Sequence, residues 1–269
     1  MSETHGESLG SIILHHVTND LNYKFFELHL FGYDISITKH VIMLWIAAAI
    51  TVGLAIYGTR RYRKNENAQP KGLSHLYEIL IDFIRNDIVI PNIGKSHCQF
   101  WAPLITTYFI FILTCNFLGL IPLFDLLPGG SSTVTGNFNA TAGLATITFF
   151  AIIVAGTMQH GFLGYWKSMI PGSVPGPVLL ILIPIEILGM FVRPFALTMR
   201  LGANMTAGHI GMLAIFSLPI ILAAAPVGIA SILLNTGIYF LEMIVSFVQA
   251  YVFTLLSSVF IGMAIHAEH

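Results

Sequence analysis

The chain has 269 residues, 12 of them Lys or Arg and 13 Asp or Glu, for a net charge of -1. Only 9% is charged and 55% is hydrophobic, against about a quarter charged in soluble domains, and the mean hydropathy is +0.80. So few charges cannot cover a water-soluble surface, so lipid must face most of the outside, and the near-neutral balance argues against a nucleic-acid partner. Cys98 and Cys115 make no disulfide framework, and Cys115 sits in an apolar run as a packed thiol.

Residues 1–40 are polar and acidic, with Glu3, Glu7, Asp20, Glu27 and Asp34 against Lys24 and Lys39. Their histidines (His5, His15, His16, His29 and His40) recur at no metal-ligand spacing, so the segment reads as solvated. It also lacks the basic-then-apolar layout of a cleavable signal. Residues 41–58 form the first uncharged span, suited to a transmembrane helix. Arg60, Arg61, Arg63, Lys64 and Lys71 follow. Short loops rich in Lys and Arg stay cytoplasmic, which puts the N-terminus outside.

Over 74–90 the pattern changes. Leu76, Leu80, Phe83 and Ile84 share one helical face, and Glu78, Asp82 and Arg85 the other, as in a helix that lies along the membrane surface. Pro91 is expected to prevent its simple continuation. Further spans are predicted at 100–123 and 141–165, joined by a loop with Asp125, Pro128, Gly129, Gly130 and Asn137 and no basic residue, hence outside. Lys167 returns the chain to the cytoplasmic side, and Pro171, Gly172, Pro175, Gly176 and Pro177 mark a linker.

From Val178 to Ile265 the only charged side chains are Glu186, Arg193, Arg200 and Glu242. Pro219 and Pro226 flank a turn that divides this stretch into helices over 178–218 and 222–265, each roughly 60 Å long. The hydrocarbon core is only about 30 Å thick, so the pair is expected to be a strongly tilted hairpin. The predicted fold is therefore all-α and polytopic. It has about five membrane-crossing helices and one amphipathic surface helix within a single membrane domain, 41–269, and the C-terminus is cytoplasmic.

Two polar stripes cross the hairpin. Glu186, Arg193 and Arg200 are spaced by seven, with Asn204 four later; Asn235, Tyr239, Glu242, Ser246 and Gln249 recur on one face of the second helix. A fold near residue 222 brings Arg200 within a turn or two of 242–249, so that the stripes can line one internal pathway. Each residue also has a plainer reading. Arg193 can pair with Glu186 one heptad away. Asn204, Asn235, Ser246 and Gln249 can be interhelical hydrogen-bond glue, and His209 a packed imidazole. Arg200 resists such a reading. It sits near mid-helix, costs at least about 2.5 kcal/mol there and keeps its proton. No excess of acids in the stripes supplies a permanent partner, so its anion is expected to arrive from elsewhere.

The stretch Leu197-x-x-Arg200-Leu201-x-x-Asn204-x-x-x-Gly208-His209 resembles the signature of subunit a of F-type ATP synthases. Asn116-Phe117-Leu118-Gly119-Leu120-Ile121-Pro122, Glu186 fourteen residues before the arginine, and Glu242 and Gln249 on the last helix extend the resemblance over most of the chain from residue 70 onward. It implies that Arg200 faces a ring of c subunits, small hairpins whose carboxylates each carry one ion, with two offset half-channels reaching that ring from opposite sides. In that picture His209 and Glu242 belong to the outer half-channel and Glu186 to the cytoplasmic one. Asn204 and Gln249 line the region near Arg200, and Asn235 and Ser246 complete the polar stripe. Some bacterial relatives carry an acid at the 209 position and His at the 242 position. Here the pair is reversed, and either residue stands as acceptor of the incoming ion, proton or sodium.

The resemblance further implies peripheral-stalk b subunits and other ATP synthase subunits as partners, and a bacterial inner membrane, rather than a mitochondrial one, as location. It implies no cofactor and no metal. With no G-x-x-x-x-G-K-[ST], H-E-x-x-H or G-x-S-x-G in the chain, no direct ATP binding or catalysis of its own is expected. The rival reading, a secondary transporter or unrelated channel, predicts inverted repeats with broken helices at matching positions, and no such repeat is seen.

Overall fold

The computed structural model describes residues 24–26, 29–30, 33–34, 37–60, 62, 72–121, 133–168, 176–222 and 225–266. His5, His15 and His16, the basic residues Arg61, Arg63, Lys64 and Lys71, loop residues Asp125, Pro128, Gly129 and Gly130, and linker residues Pro171, Gly172 and Pro175 lie outside the described residues.

The fold is that of an all-α polytopic membrane protein, with five helices long and apolar enough to cross a bilayer. Ahead of them lie short strands that the reading of 1–40 as a plain solvated segment did not foresee: β1 (Lys24–Phe26), β2 (His29–Leu30), β3 (Tyr33–Asp34) and β4 (Ile37–Thr38). β1 pairs with β4 and β2 with β3, both antiparallel, so one ladder nests inside the other. The helices are α1 (Lys39–Thr59), α2 (Leu73–Phe83), a π-helix (Ile84–Val89), α3 (Ile90–Ile93), α4 (Lys95–Leu120), α5 (Phe138–His160), α6 (Phe162–Ser168), α7 (Gly176–Leu222) and α8 (Ala225–Ile265), with a 3-10 turn at Val134–Gly136.

The surface helix does not run on simply to Pro91: its α-helical part stops at Phe83, a π-helical segment follows, and Pro91 falls in the first turn of α3, where a missing N–H removes no intrahelical bond. Gly94, at φ 89, closes the helix instead, in backbone space a side chain would resist. The span expected over 141–165 likewise stops at His160. Gly161, at φ 74, breaks the chain direction and the short α6 follows.

Inside apolar helices a hydroxyl needs an acceptor, because the bilayer offers no water. Thr107, Thr146, Thr148, Thr198, Thr206, Thr236 and Thr254 each donate to the carbonyl four residues back, a local solution that leaves the helix surface effectively apolar.

The chain clusters into two compact units, each assembled from three separated stretches. The first comprises 1–49, 112–140 and 201–249, and the second 50–111, 141–200 and 250–269. The core of the second is built on Ile84, Ile88, Ile93, Ile105, Phe109, Ile152 and Ile261, all fully or almost fully buried. There Tyr108 packs edge-on against Phe253, with 5.6 Å between ring centroids. The Tyr108 hydroxyl accepts from Thr148, which also shares a hydrogen bond with Ser257. The π-helical turn gains a fixed role in this core: the Ile88 carbonyl accepts both Asn92 Nδ2 at 2.7 Å and Ser258 Oγ at 3.2 Å. The first unit buries Leu201 and Met205 of α7 together with Asn116, Leu118 and Leu120 of α4.

Close approach in the second unit depends on small residues, Gly58, Gly156 and Gly262 among them. A Cβ added at Gly262 would overlap the Asn92 carbonyl, which is backbone and cannot swing away, whereas one at Gly143 would meet nothing within 4 Å. Gly262→Ala is therefore expected to destabilise the protein by about 1–3 kcal/mol, and Gly143→Ala to be neutral or mildly stabilising as in any helix interior. Thermal unfolding midpoints of the two purified variants check this. Equal midpoints would contradict the packing described here.

Candidate functional site

The first unit contains the central part of the hairpin, α7 from Leu201 and α8 to Gln249. Two contacts give its register. Ser231 Oγ donates to the Ile215 carbonyl, and Gly208 lies so close to Glu242 that a Cβ there would overlap the carboxyl. As residue number falls along α7 it rises along α8, so the helices run antiparallel.

Six residues singled out in the sequence lie along this antiparallel stretch: Asn204, His209, Asn235, Glu242, Ser246 and Gln249, with Glu242 set against Gly208 of the facing helix. Glu242 is only 3% exposed, and its Oε1 has no hydrogen-bond partner among the described residues; the same holds for Asn235 Oδ1 and Ser246 Oγ. One orphaned buried polar atom costs about 1–3 kcal/mol. Three on one stripe of one helix mark a place where polarity is retained against stability.

His209 is placed differently. Its Nδ1 lies 3.2 Å from the Met205 carbonyl, and its Nε2 lies 3.3 Å from the Gly119 carbonyl and 2.9 Å from Thr133 Oγ. A neutral ring donates from one nitrogen and accepts at the other, and a cationic ring donates from both. The neutral ring is satisfied by donating to Met205 and accepting from Thr133. The cation is satisfied by donating to Met205 and Gly119. Partners therefore stand ready for both protonation states, as a proton relay requires.

A further layer was not assigned a role from sequence. Asn116 is fully buried; its Nδ2 donates to the Ser246 carbonyl at 3.0 Å and its Oδ1 accepts from Thr135 at 2.6 Å. Thr206 Oγ donates to the Gly136 carbonyl at 3.1 Å, and Tyr239 OH to the Leu120 carbonyl at 3.1 Å. The end of α4 and residues 133–137 are thus tied to both arms of the hairpin beside the polar stripe. Thr133 and Thr135 carry no periodic signal, and only their polarity in a loop without basic residues sets them apart. Gly208 stood inside the quoted motif, yet its role as the space for Glu242 is visible only in three dimensions.

The second unit contains Glu186, Arg193 and Arg200. Here the plainer reading of Arg193 applies: its guanidinium lies 3.7 Å from the Glu186 carboxylate and over the ring of Phe260, 5.7 Å from the centroid. Arg200 does not join this pair. It is exposed and makes no ion pair with a described residue. The first stripe therefore divides into an ion pair and an arginine that pairs with no described residue.

Comparison with known proteins bears on the whole chain. The family model described as "ATP synthase A chain" matches residues 41–262. The chain belongs to the ATP synthase A chain family. It is 43% identical to a protein named "ATP synthase subunit a 2" from Chlorobaculum tepidum, over 96% of this chain and 74% of that one. It is 41% identical to "ATP synthase subunit a" from Chloroherpeton thalassium, over 95% of this chain and 77% of that one. With the protein of the same name from Anaeromyxobacter dehalogenans the identity is 38%, over 96% and 71%.

In an ATP synthase A chain the geometry around Gly208 makes a specific prediction. Gly208→Val must displace the Glu242 carboxyl, and proton-driven ATP synthesis is expected to fall about tenfold or more. Shortening the acid in Gly208→Val/Glu242→Asp should return part of the loss. Synthesis rates in inverted membrane vesicles decide it, and an unimpaired single variant would show that the Gly208–Glu242 contact does not matter.

Proposed function

We propose that this chain is the stationary ion-conducting subunit of a rotary ATP synthase, passing protons through two offset half-channels along a ring of c subunits. Arg200 carries the reading. A guanidinium stays ionised in any surroundings, and this one stands exposed, without an ion pair to a described residue, on a helix whose neighbouring surface is apolar. Phe191, Phe195 and Met199 of that helix are 58%, 64% and 41% exposed. Such a surface calls for an apolar neighbour, and such a cation for an anion brought by that neighbour. A ring of apolar hairpins, each with one mid-membrane carboxylate, supplies both.

The outer half-channel is assigned to the first unit. His209 and Glu242 are its proton carriers, with Asn235 and Ser246 along the stripe and Asn204 and Gln249 at its inner end. Glu186 is assigned to the cytoplasmic half-channel, held by Arg193. A ring carboxyl entering beside Arg200 has its charged form favoured by the cation and gives up its proton. The same cation repels protons, which separates the half-channels. One charge crossing ~100 mV releases about 2.3 kcal/mol, and rotation conveys it to subunits that bind ATP; this chain performs no catalysis itself.

With 47 residues, α7 would be about 70 Å long against an apolar layer of ~30 Å, so the hairpin is taken to lie strongly tilted, along the rim of a wide rotor. The membrane is assigned as the bacterial inner membrane, with the N-terminus outside and the C-terminus in the cytoplasm. Peripheral-stalk b subunits complete the stator.

The test replaces the cation. In Arg200→Ala a ring carboxyl can pass still protonated, so synthesis driven by an imposed proton gradient is expected to drop below about a tenth of wild type. Arg200→Lys is expected to be severely impaired too, because an ammonium lacks the planar fork and loses its proton more readily on burial. Near-normal synthesis by Arg200→Ala would sink the mechanism.

A further inference from the structure

The second unit contains a cavity of about 400 Å³ walled by α1, α2 and α4, within the range of small-ligand sites and remote in sequence from the polar stripes. Its chemistry is graded. Along α4 the lining runs from Gln99 near its start through Ala102 and Thr106 to Ile110, and Arg85, Tyr77 and Thr51 line the cavity from the other elements. Ala55 of α1 and Ile81 of α2 add to the apolar wall. Thr107, which also lines it, turns its hydroxyl to the Pro103 carbonyl at 2.7 Å, so that wall offers little polarity. From Gln99 to Ile110 the helix advances about 16 Å, close to one leaflet of a ~30 Å hydrocarbon core.

Arg85 is the cation at the polar end. It is exposed and makes no ion pair with a described residue, although Asp82 lies one turn earlier on α2. The level of this end in the membrane follows from α2. Leu73, Leu76 and Ile79 leave apolar side chains 59%, 63% and 51% exposed, as on a helix resting at the boundary between headgroups and acyl chains. Arg60, also exposed, opens the run of basic residues after α1, and such juxtamembrane clusters attract anionic lipid.

We propose that this cavity is a binding site for one anionic phospholipid, with the headgroup phosphate on Arg85 and Gln99 and an acyl chain along α4 between α1 and α2. A guanidinium fork matches phosphate geometry, and a cavity cationic at the surface end and apolar below matches a lipid better than a soluble anion, which would leave the apolar depth unfilled. The lipid would wedge the first span and the surface helix against α4.

The test uses the intact complex reconstituted into phosphatidylcholine vesicles containing a phosphatidylglycerol with a photoreactive diazirine on its acyl chain. Irradiation is expected to label the stretch 98–110. Excess unlabelled phosphatidylglycerol should compete, and the matching phosphatidylcholine probe should label the stretch at least about tenfold less, the equivalent of one charge-assisted contact. Arg85→Gln should lower anionic labelling to the phosphatidylcholine level and Arg85→Lys retain part of it. Ala102→Phe, which fills the apolar depth, should abolish labelling with Arg85 intact. Equal labelling by both probes in the wild-type complex overturns the proposal. So does capture of a polypeptide, in place of lipid, by a photoreactive residue introduced at Gln99.

Discussion

A guanidinium in an apolar environment keeps its charge, and the protein must arrange everything nearby around that fact. In this chain two arginines stand seven residues apart on one long helix and are treated in opposite ways. Arg193 is closed off by Glu186 at 3.7 Å and by the face of Phe260, a local solution complete within the chain. Arg200 has neither and is exposed. A cation without an ion pair to a described residue is costly to bury in a membrane, and under the proposed function its anion comes and goes with the ring. The exposed apolar surface of α7 is intelligible as the surroundings of such a visitor.

The proton path needs the opposite design from the arginine. A group that relays must be satisfied in both protonation states, or one state becomes a trap. His209 meets the requirement with two carbonyls and a hydroxyl. Glu242 differs: one buried carboxyl oxygen has no partner among the described residues, beside a glycine that leaves the carboxyl room. Asn116 and Thr135 supply the rigidity that these groups lack, tying the end of α4 to the Ser246 carbonyl. Polar atoms without a partner among the described residues and a hydrogen-bonded network thus lie side by side in the first unit.

Much of this was legible in the sequence, because the bilayer imposes a strict grammar. Five apolar runs of sufficient length, the basic cluster after the first and the two forty-residue runs at the end follow from hydropathy and charge, and the long hairpin follows from helix rise against bilayer thickness. The stripe from Asn235 to Gln249 follows from helical period. What escaped depends on contacts distant in sequence or on backbone geometry. Nothing local distinguishes Thr133 from other loop hydroxyls, because its partner is His209. The surface helix continues past Pro91 because a π-helical segment changes the hydrogen-bonding register ahead of it, which no propensity encodes. The β ladders before α1 rest on pairs such as Lys24 with Thr38, too short to stand out against a polar segment.

The central claim is that the Arg200 charge keeps two aqueous paths apart, and passive proton conductance measures that most directly. Membranes carrying the assembled complex can be stripped of the catalytic head and the decay of an imposed pH gradient followed with a fluorescent reporter. Without the permanent cation the electrostatic barrier between the half-channels is gone. Stripped Arg200→Ala membranes are predicted to leak protons faster than stripped wild-type membranes even when rotation is blocked by a ring-binding inhibitor. A leak in the blocked variant no greater than in the blocked wild type would contradict the account.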